Sequence, residues 1–137
     1  MTYALDTNII IHYLRKNPDI HKNIDEVVAQ NDDIVVPIFV DYEIRRGFRI
    51  YNATNKEKSY NAFVRSDFCA IAEMCAQCWK RAEIIYEELY RKGLTVGELD
   101  ILIAAICHEY SCTLVTDNTK HFKDIDGLLI ENWVTGG

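Results

Sequence analysis

Short apolar runs alternate along this chain with longer stretches in which apolar residues recur every three or four positions. The runs Tyr3–Leu5, Ile34–Val36, Phe68–Ala72, Thr113–Thr116 and Leu128–Ile130 are too short for helices and read as buried strands. Helical periodicity covers Thr7–Lys16, Pro18–Gln30, Phe39–Tyr51, Asn55–Arg65, a long segment from Met74 to Gly93, and a stripe of Leu99, Leu102, Ile103, Ile106, Cys107 and Tyr110. Pro18 suits a first helical turn, where its missing N–H is not needed, and Gly93 suits a left-handed helix end. Gly47 weakens the helix in which it falls. Thr95 and Glu98 spell a capping box, which gives Glu98 a structural task. Strands of this length between helices predict an α/β fold: a parallel sheet of four to five strands flanked by helices on both faces, an α/β/α sandwich.

Composition narrows this to one domain over residues 1–137. The chain has 49% hydrophobic residues and no repeat, low-complexity tract or linker. There is no uncharged apolar run of the roughly 18 residues a membrane span requires, and no signal-peptide pattern at the start, so a cytoplasmic protein is expected. Five cysteines in apolar surroundings are expected to be reduced. The Cys75-Ala-Gln-Cys78 spacing is explained by packing, on a helical stripe of Cys75, Cys78, Trp79, Ala82, Tyr86 and Leu89.

Four carboxylates stand at the margins of these elements: Asp6, Glu43, Asp100 and Asp117. In open α/β sheets the functional crevice lies outside the carboxyl ends of the strands, and Asp6 and Asp117 each follow a strand directly. Each also has an ordinary reading, Asp6 as a helix cap and Asp117 as a turn residue. Asp100 lies beside an apolar stripe whose cap is already assigned to Thr95 and Glu98, so its desolvation calls for a partner. Glu43 is flanked by Phe39, Val40, Tyr42 and Ile44. Four acids gathered in one pocket would suit Mg²⁺ or Mn²⁺ and the hydrolysis of a phosphodiester.

Charge and motifs agree with this. Of the net charge of −6, four units belong to those acids, leaving −2 for the rest of the surface. Residues 44–66 carry Arg45, Arg46, Arg49, Lys56, Lys58 and Arg65 against the single acid Glu57; Arg45, Arg46, Arg49, Lys56 and Lys58 are candidates for contacts to RNA phosphates, and a plain solvated helix face is the alternative. No phosphate-cradling glycine loop, Gly-x-Ser-x-Gly elbow or His-Glu-x-x-His is present. A haloacid-dehalogenase phosphatase would need an acid where Asn8 stands, and the paired acids of a phosphoacceptor receiver are missing. His12, His21 and His108 are surface or packing residues; His121, beside the last motif, is the histidine placed to touch substrate.

The segments Leu5-Asp6-Thr7-Asn8, Glu43-Ile44-Arg45-Arg46-Gly47, Asp100-Ile101-Leu102-Ile103-Ala104-Ala105 and Thr113-Leu114-Val115-Thr116-Asp117-Asn118, with Phe122 and Glu131-Asn132-Trp133, resemble a PIN domain, specifically the VapC-type toxins of bacterial toxin–antitoxin pairs. The resemblance spans essentially the whole chain. It implies a Mg²⁺- or Mn²⁺-dependent endoribonuclease that cleaves structured RNA, often tRNA, and arrests translation. It further implies a homodimer held inactive by a small VapB-type antitoxin whose tail occupies the active site. Asp6, Glu43 and Asp100 match the family's acidic triad, Asn8 would hold Asp6 in place, and Thr116 would be a polar neighbour of the metal. Many members carry their last acid two residues after the threonine; here Asp117 follows Thr116 at once and Asn118 takes the later place. The family also often has a small hydroxyl residue where Phe39 and Val40 precede Glu43. The alternative function is a non-catalytic PIN-like module that binds RNA or protein.

Overall fold

The structure, a computed structural model, describes residues 1–134. The chain runs β1 (Thr2–Leu5), α1 (Thr7–Leu14), α2 (Pro18–Ala29), β2 (Asp33–Pro37), α3 (Ile38–Tyr51), α4 (Thr54–Val64), β3 (Cys69–Ala72), α5 (Ala76–Arg91), α6 (Glu98–Glu109), β4 (Cys112–Val115), α7 (Thr119–Phe122) and β5 (Ile130–Glu131). All strand pairs are parallel, in the order β3-β2-β1-β4-β5. The expected α/β/α sandwich is therefore present, with five strands.

Parallel strands are covered on both faces, which is why β1, β2 and β4 are nearly continuous apolar runs. The chain first adds strands on one side of β1, giving β2 and then β3. It then crosses over to β4 on the other side. Right-handed crossovers put α1 to α4 on one face and α5 with α6 on the other, and the packing of α1 on α2, α3 and α4 and of α5 on α6 agrees. The direction of winding reverses between β1 and β4. A crevice opens at such a reversal, because the following segments diverge to opposite faces.

The core fills both sides of the sheet. Ile9, Ile20, Ile24, Val40, Ile44 and Phe48 come from α1 to α3, while α6 buries Ile101 and every position from Ile103 to Cys107. α6 is thus enclosed on nearly all sides, not along the single stripe that its spacing predicts; Tyr110, expected within that stripe, is exposed.

Three further local expectations are corrected. α6 starts at Glu98 with Gly97 as its N-cap and no side-chain cap, so the Thr95–Glu98 capping box does not form and Glu98 is an exposed first-turn residue. Val96 packs against the core, and the helix starts two residues later than the box predicts. α5 buries Cys78, Ala82, Ile85 and Leu89, whereas Trp79, Tyr86 and Cys75 are exposed. β5 falls at Ile130–Glu131 instead of Leu128–Ile130. Gly93 is as expected: with φ of 71° it ends α5, and bonds from Gly93 N–H to the Tyr90 carbonyl and Leu94 N–H to the Leu89 carbonyl close the helix end. Among the described residues, no helix is long and apolar enough to cross a membrane.

Candidate active site

Asp6 is the residue after β1 and sits at the reversal point. Its backbone N–H still pairs with Val115 of β4, so the sheet ladder fixes its position. The side chain does two jobs. Oδ1 accepts from Thr7 N–H at 2.8 Å and caps α1, while Oδ2 accepts from the Thr116 hydroxyl at 2.8 Å and Asn8 Nδ2 at 3.2 Å. Asp6 therefore caps α1, as its ordinary reading expects, and is held at the same time by Thr116 and Asn8. A carboxylate offers about four lone-pair sites; with three donors engaged, Oδ1 retains one for a further ligand.

Thr116 and Asn8 brace this group. Thr116 is fully buried just past the end of β4, and its oxygen also accepts from Asn118 N–H at 3.0 Å. Asn8 reaches the other way, its Oδ1 accepting from Asp117 N–H at 2.9 Å. The ends of β1 and β4 are thereby locked to each other through side chains.

Glu43 and Asp100 arrive from opposite faces of the sheet. Glu43, in the second turn of α3, accepts from Thr7 Oγ1 at 3.2 Å through Oε1, and its Oε2 lies 4.0 Å from the Arg46 guanidinium. Asp100, in the first turn of α6, faces His121 of α7, with Oδ2 and Nδ1 3.3 Å apart. Asp6, Glu43 and Asp100 line one cleft of about 350 Å³ together with Thr7, Asn8, Gly97, Asn118 and His121. Burial raises the Glu43 carboxyl above its ordinary range, the Thr7 hydrogen bond working against it and the Asp6 charge adding to it. Asp100 is likewise raised by burial first and then by Asp6, with His121 pulling the other way. Charge on Asp6 thus disfavours charge on both neighbours, which is the electrostatic condition a bound cation relieves.

Asp117 is not brought into the cleft. Its carboxylate turns out to solvent and meets His12 Nε2 at 3.3 Å, and His12 in turn meets Asn17. Asn118, one residue later, takes the place in the lining. Sequence reasoning gave Asn118 no role, although the usual spacing of the last acid after the threonine pointed to that position. His121 is where its proximity to the last motif placed it.

The basic candidates divide. Arg45 is held within the fold: its Nε donates to Asp41 at 3.0 Å, its NH1 to Asn61 at 3.0 Å, and it lies over the Tyr60 ring. Tyr60 donates to the same Asp41 at 2.6 Å, so this knot fastens α3 to α4. Arg46 lies over the Tyr42 ring beside Glu43. Arg49, Lys56 and Lys58 are exposed. Lys56 also joins Arg15, which the sequence reading passed over, on the rim of an apolar groove of about 440 Å³ floored by Ile11, Leu14, Ile44 and Phe48. The groove shares Thr7, Ile11 and Glu43 with the cleft, so the two are continuous.

Among the described residues, no three carboxylate, imidazole or thiolate groups converge into a closed cage for an ion. A hard cation of the Mg²⁺ kind does not require one. It keeps several waters and is held through one or two carboxylates with the substrate phosphate completing the shell. The donor set here, carboxylate oxygens in an open cleft with Glu43 and Asp100 raised in proton affinity, fits such an ion, and Asp6 with Asp100 or Glu43 would hold it.

The PIN domain model matches residues 3–128. Ribonuclease VapC2 of Rickettsia felis is 35% identical over 136 residues, covering 97% of this chain and 98% of that protein. Among solved structures, VapBC2 from Rickettsia felis bound to a DNA fragment from their promoter superposes with a TM-score of 0.87 at 32% identity, covering 98% of this chain and 100% of that one. VapBC-1 from nontypeable Haemophilus influenzae does so with a TM-score of 0.76 at 31% identity, covering 97% and 98%. The cleft at the β1/β4 reversal, the acids that line it and these likenesses agree, and the chain belongs to the PIN domain family, in its VapC branch.

Proposed function

We propose that this protein is a metal-dependent endoribonuclease toxin that cuts structured RNA, with tRNA the leading candidate, and so halts translation. The observation that carries the reading is the meeting of Asp6, Glu43 and Asp100, from three distant segments, in one cleft at the reversal of the sheet. When bound there, Mg²⁺ or Mn²⁺ would supply an activated water and offset charge building on the leaving oxygen. Asp6 is presented rigidly by Thr7, Asn8 and Thr116. Glu43 and Asp100, whose proton affinity burial raises above the ordinary carboxylate range, are the acids suited to exchanging a proton with the reacting groups. His121 and Asn118 stand at the mouth to contact a phosphate or ribose, and Arg46, Arg49, Lys56 and Lys58 lie along α3 and α4 to attract the RNA backbone. Asp117 serves in this scheme by fixing His12, not as a metal ligand.

The relatives' names describe VapBC assemblies, and a VapB-type antitoxin is the partner we propose here. The apolar groove that runs into the cleft suits an amphipathic tail of such a partner, with Arg15 and Lys56 at its rim. A homodimer in the cytoplasm completes the reading. The competing reading, a PIN-like module that binds without cutting, draws on the open spacing of the acids. Sequencing of RNA ends from cells expressing the parent and the Asp6→Asn variant separates them: new, recurrent ends in the parent alone support cleavage, and identical end profiles favour the binding module. Coexpression of the VapB-type protein should erase the new ends.

A further inference from the structure

Cys75 and Cys78 take no part in the cleft or in the chemistry proposed for it. Cys75 is the N-cap of α5. Its backbone is extended, its side chain is exposed, and its Sγ accepts from Cys78 N–H at 3.3 Å. Cys78, one turn on, is fully buried in a small cluster with Ala72 and Ile106. The two sulfurs lie 3.0 Å apart, closer than the roughly 3.5–4.0 Å at which unbonded carbons settle. Packing, the expectation from the helical stripe, accounts for Cys78 and leaves Cys75 unexplained.

The asymmetry of the pair defines its chemistry. The contact between the two thiols, with the Cys78 and Gln77 N–H groups, holds Cys75 below the usual thiol range, and burial pushes Cys78 up to about 11. The positive end of α5, a helix of 16 residues, points at the same sulfur. An exposed sulfur of lowered proton affinity beside a buried thiol of raised proton affinity is the arrangement of an attacking and a resolving sulfur.

We propose that Cys75 and Cys78 form a reactive dithiol that closes to an intramolecular disulfide by exchange with a small external disulfide such as oxidised glutathione. The Cys75 thiolate attacks one external sulfur, forming a mixed disulfide and expelling a thiolate that takes a proton from solvent. Cys78 then gives up its thiol proton and attacks Cys75 Sγ, expelling the second small thiolate, which takes that proton. The protein loses two electrons from two thiols, and the external disulfide gains them as two free thiols. Because the helix end favours the Cys75 thiolate, the reduced form is stabilised and excess thiol reopens the bond. The inference is independent of the nuclease reading.

The test treats the reduced, folded full-length chain with oxidised glutathione, traps free thiols by alkylation in acid-quenched samples, and sequences the tryptic peptide 66–80 by fragmentation, since it also holds Cys69. The parent should lose two hydrogens with the bond assigned to Cys75 and Cys78. Cys78→Ala should retain glutathione on Cys75, and Cys75→Ser, whose hydroxyl preserves the cap, should leave Cys78 unmodified. No change in the parent, a stable glutathione adduct on parental Cys75, or a bond to Cys69 overturns the proposal. Parental mapping decides the matter even if a variant fails to fold.

Discussion

Replacing Thr116 with valine removes one buried hydroxyl while keeping nearly the same shape. That hydroxyl donates to Asp6 Oδ2 at 2.8 Å and accepts from Asn118 N–H at 3.0 Å. A hydrogen bond to a charged group contributes about 1.5–3 kcal/mol and a neutral one about 1 kcal/mol, while the added methyl returns about 0.8 kcal/mol of burial. The net loss should be about 2–3 kcal/mol, a large share of the ~5–15 kcal/mol that holds a domain folded. At this chain length it corresponds to a fall in Tm of roughly 5–10 °C. Urea unfolding of four proteins, the parent, Thr116→Val, Asp6→Asn and the double variant, isolates the pair. The valine substitution should cost about half as much in the Asp6→Asn background, where the bond no longer meets a charge. A loss under about 0.5 kcal/mol, or an equal loss in both backgrounds, would refute the view that Thr116 braces the Asp6 carboxylate.

Neutralising the raised acids should trade activity for stability. Their folded-state proton affinity exceeds the unfolded one, so stability falls as pH rises from the ordinary carboxylate range through the raised values; Glu43→Gln and Asp100→Asn should therefore melt higher than the parent at pH 7 without metal, and no higher at pH 4. RNA cleavage by the parent should correspondingly fade with acid at a pH above that of an unperturbed carboxylate, measured as a pH–rate profile at Mn²⁺ below saturation, where protons compete with the ion for the raised acids. Gly93→Ala should destabilise by about 1–2 kcal/mol in urea melts, because φ is 71° and a Cβ there touches nothing, so the loss is backbone strain alone. Gly47→Ala, inside α3 with nothing within 4 Å of the added Cβ, should stabilise by about 0.5–1 kcal/mol in the same assay.

The parts of the fold legible in the sequence are those fixed by side chains that touch their own neighbours. The Ile-Val-Val of β2, Pro18 opening α2 and Gly93 ending α5 each act within a few residues of themselves. What failed depends on distant partners. β5 forms where the Glu131 carbonyl meets Thr116 N–H, a backbone pairing that needs no apolar residue and so leaves no trace in the hydropathy. α1 stops at Leu14 and α6 at Glu109 because Lys16 and Ser111 take left-handed backbone angles, residue types that give no warning of it. The Thr95–Glu98 pattern matched a local rule, but Val96 packs against the core and the helix starts at Glu98. At the site, Asp6 was readable from its place after a strand, Asp100 from its place beside an apolar stripe, and Glu43 from its apolar neighbours and the family resemblance. Asp117 was misplaced because the Asn8 bond to its N–H, a contact across 109 positions, turns its carboxylate outward. Arg45 looked like its basic neighbours until Asp41, Asn61 and Tyr60 claimed it.

The central claim is that Asp6, Glu43 and Asp100 act together with a divalent cation to cut RNA. Its most direct test is cleavage of purified structured RNA by the parent and by Asp6→Asn, Glu43→Gln and Asp100→Asn, each with Mn²⁺ and with EDTA. The Asp6→Asn change keeps a capping side chain on α1, so loss of activity there reports on the site. The account predicts cutting by the parent with Mn²⁺, none in EDTA, and a fall of ~100-fold or more in every variant. Cutting that persists in EDTA, or variants that keep pace with the parent, would contradict it.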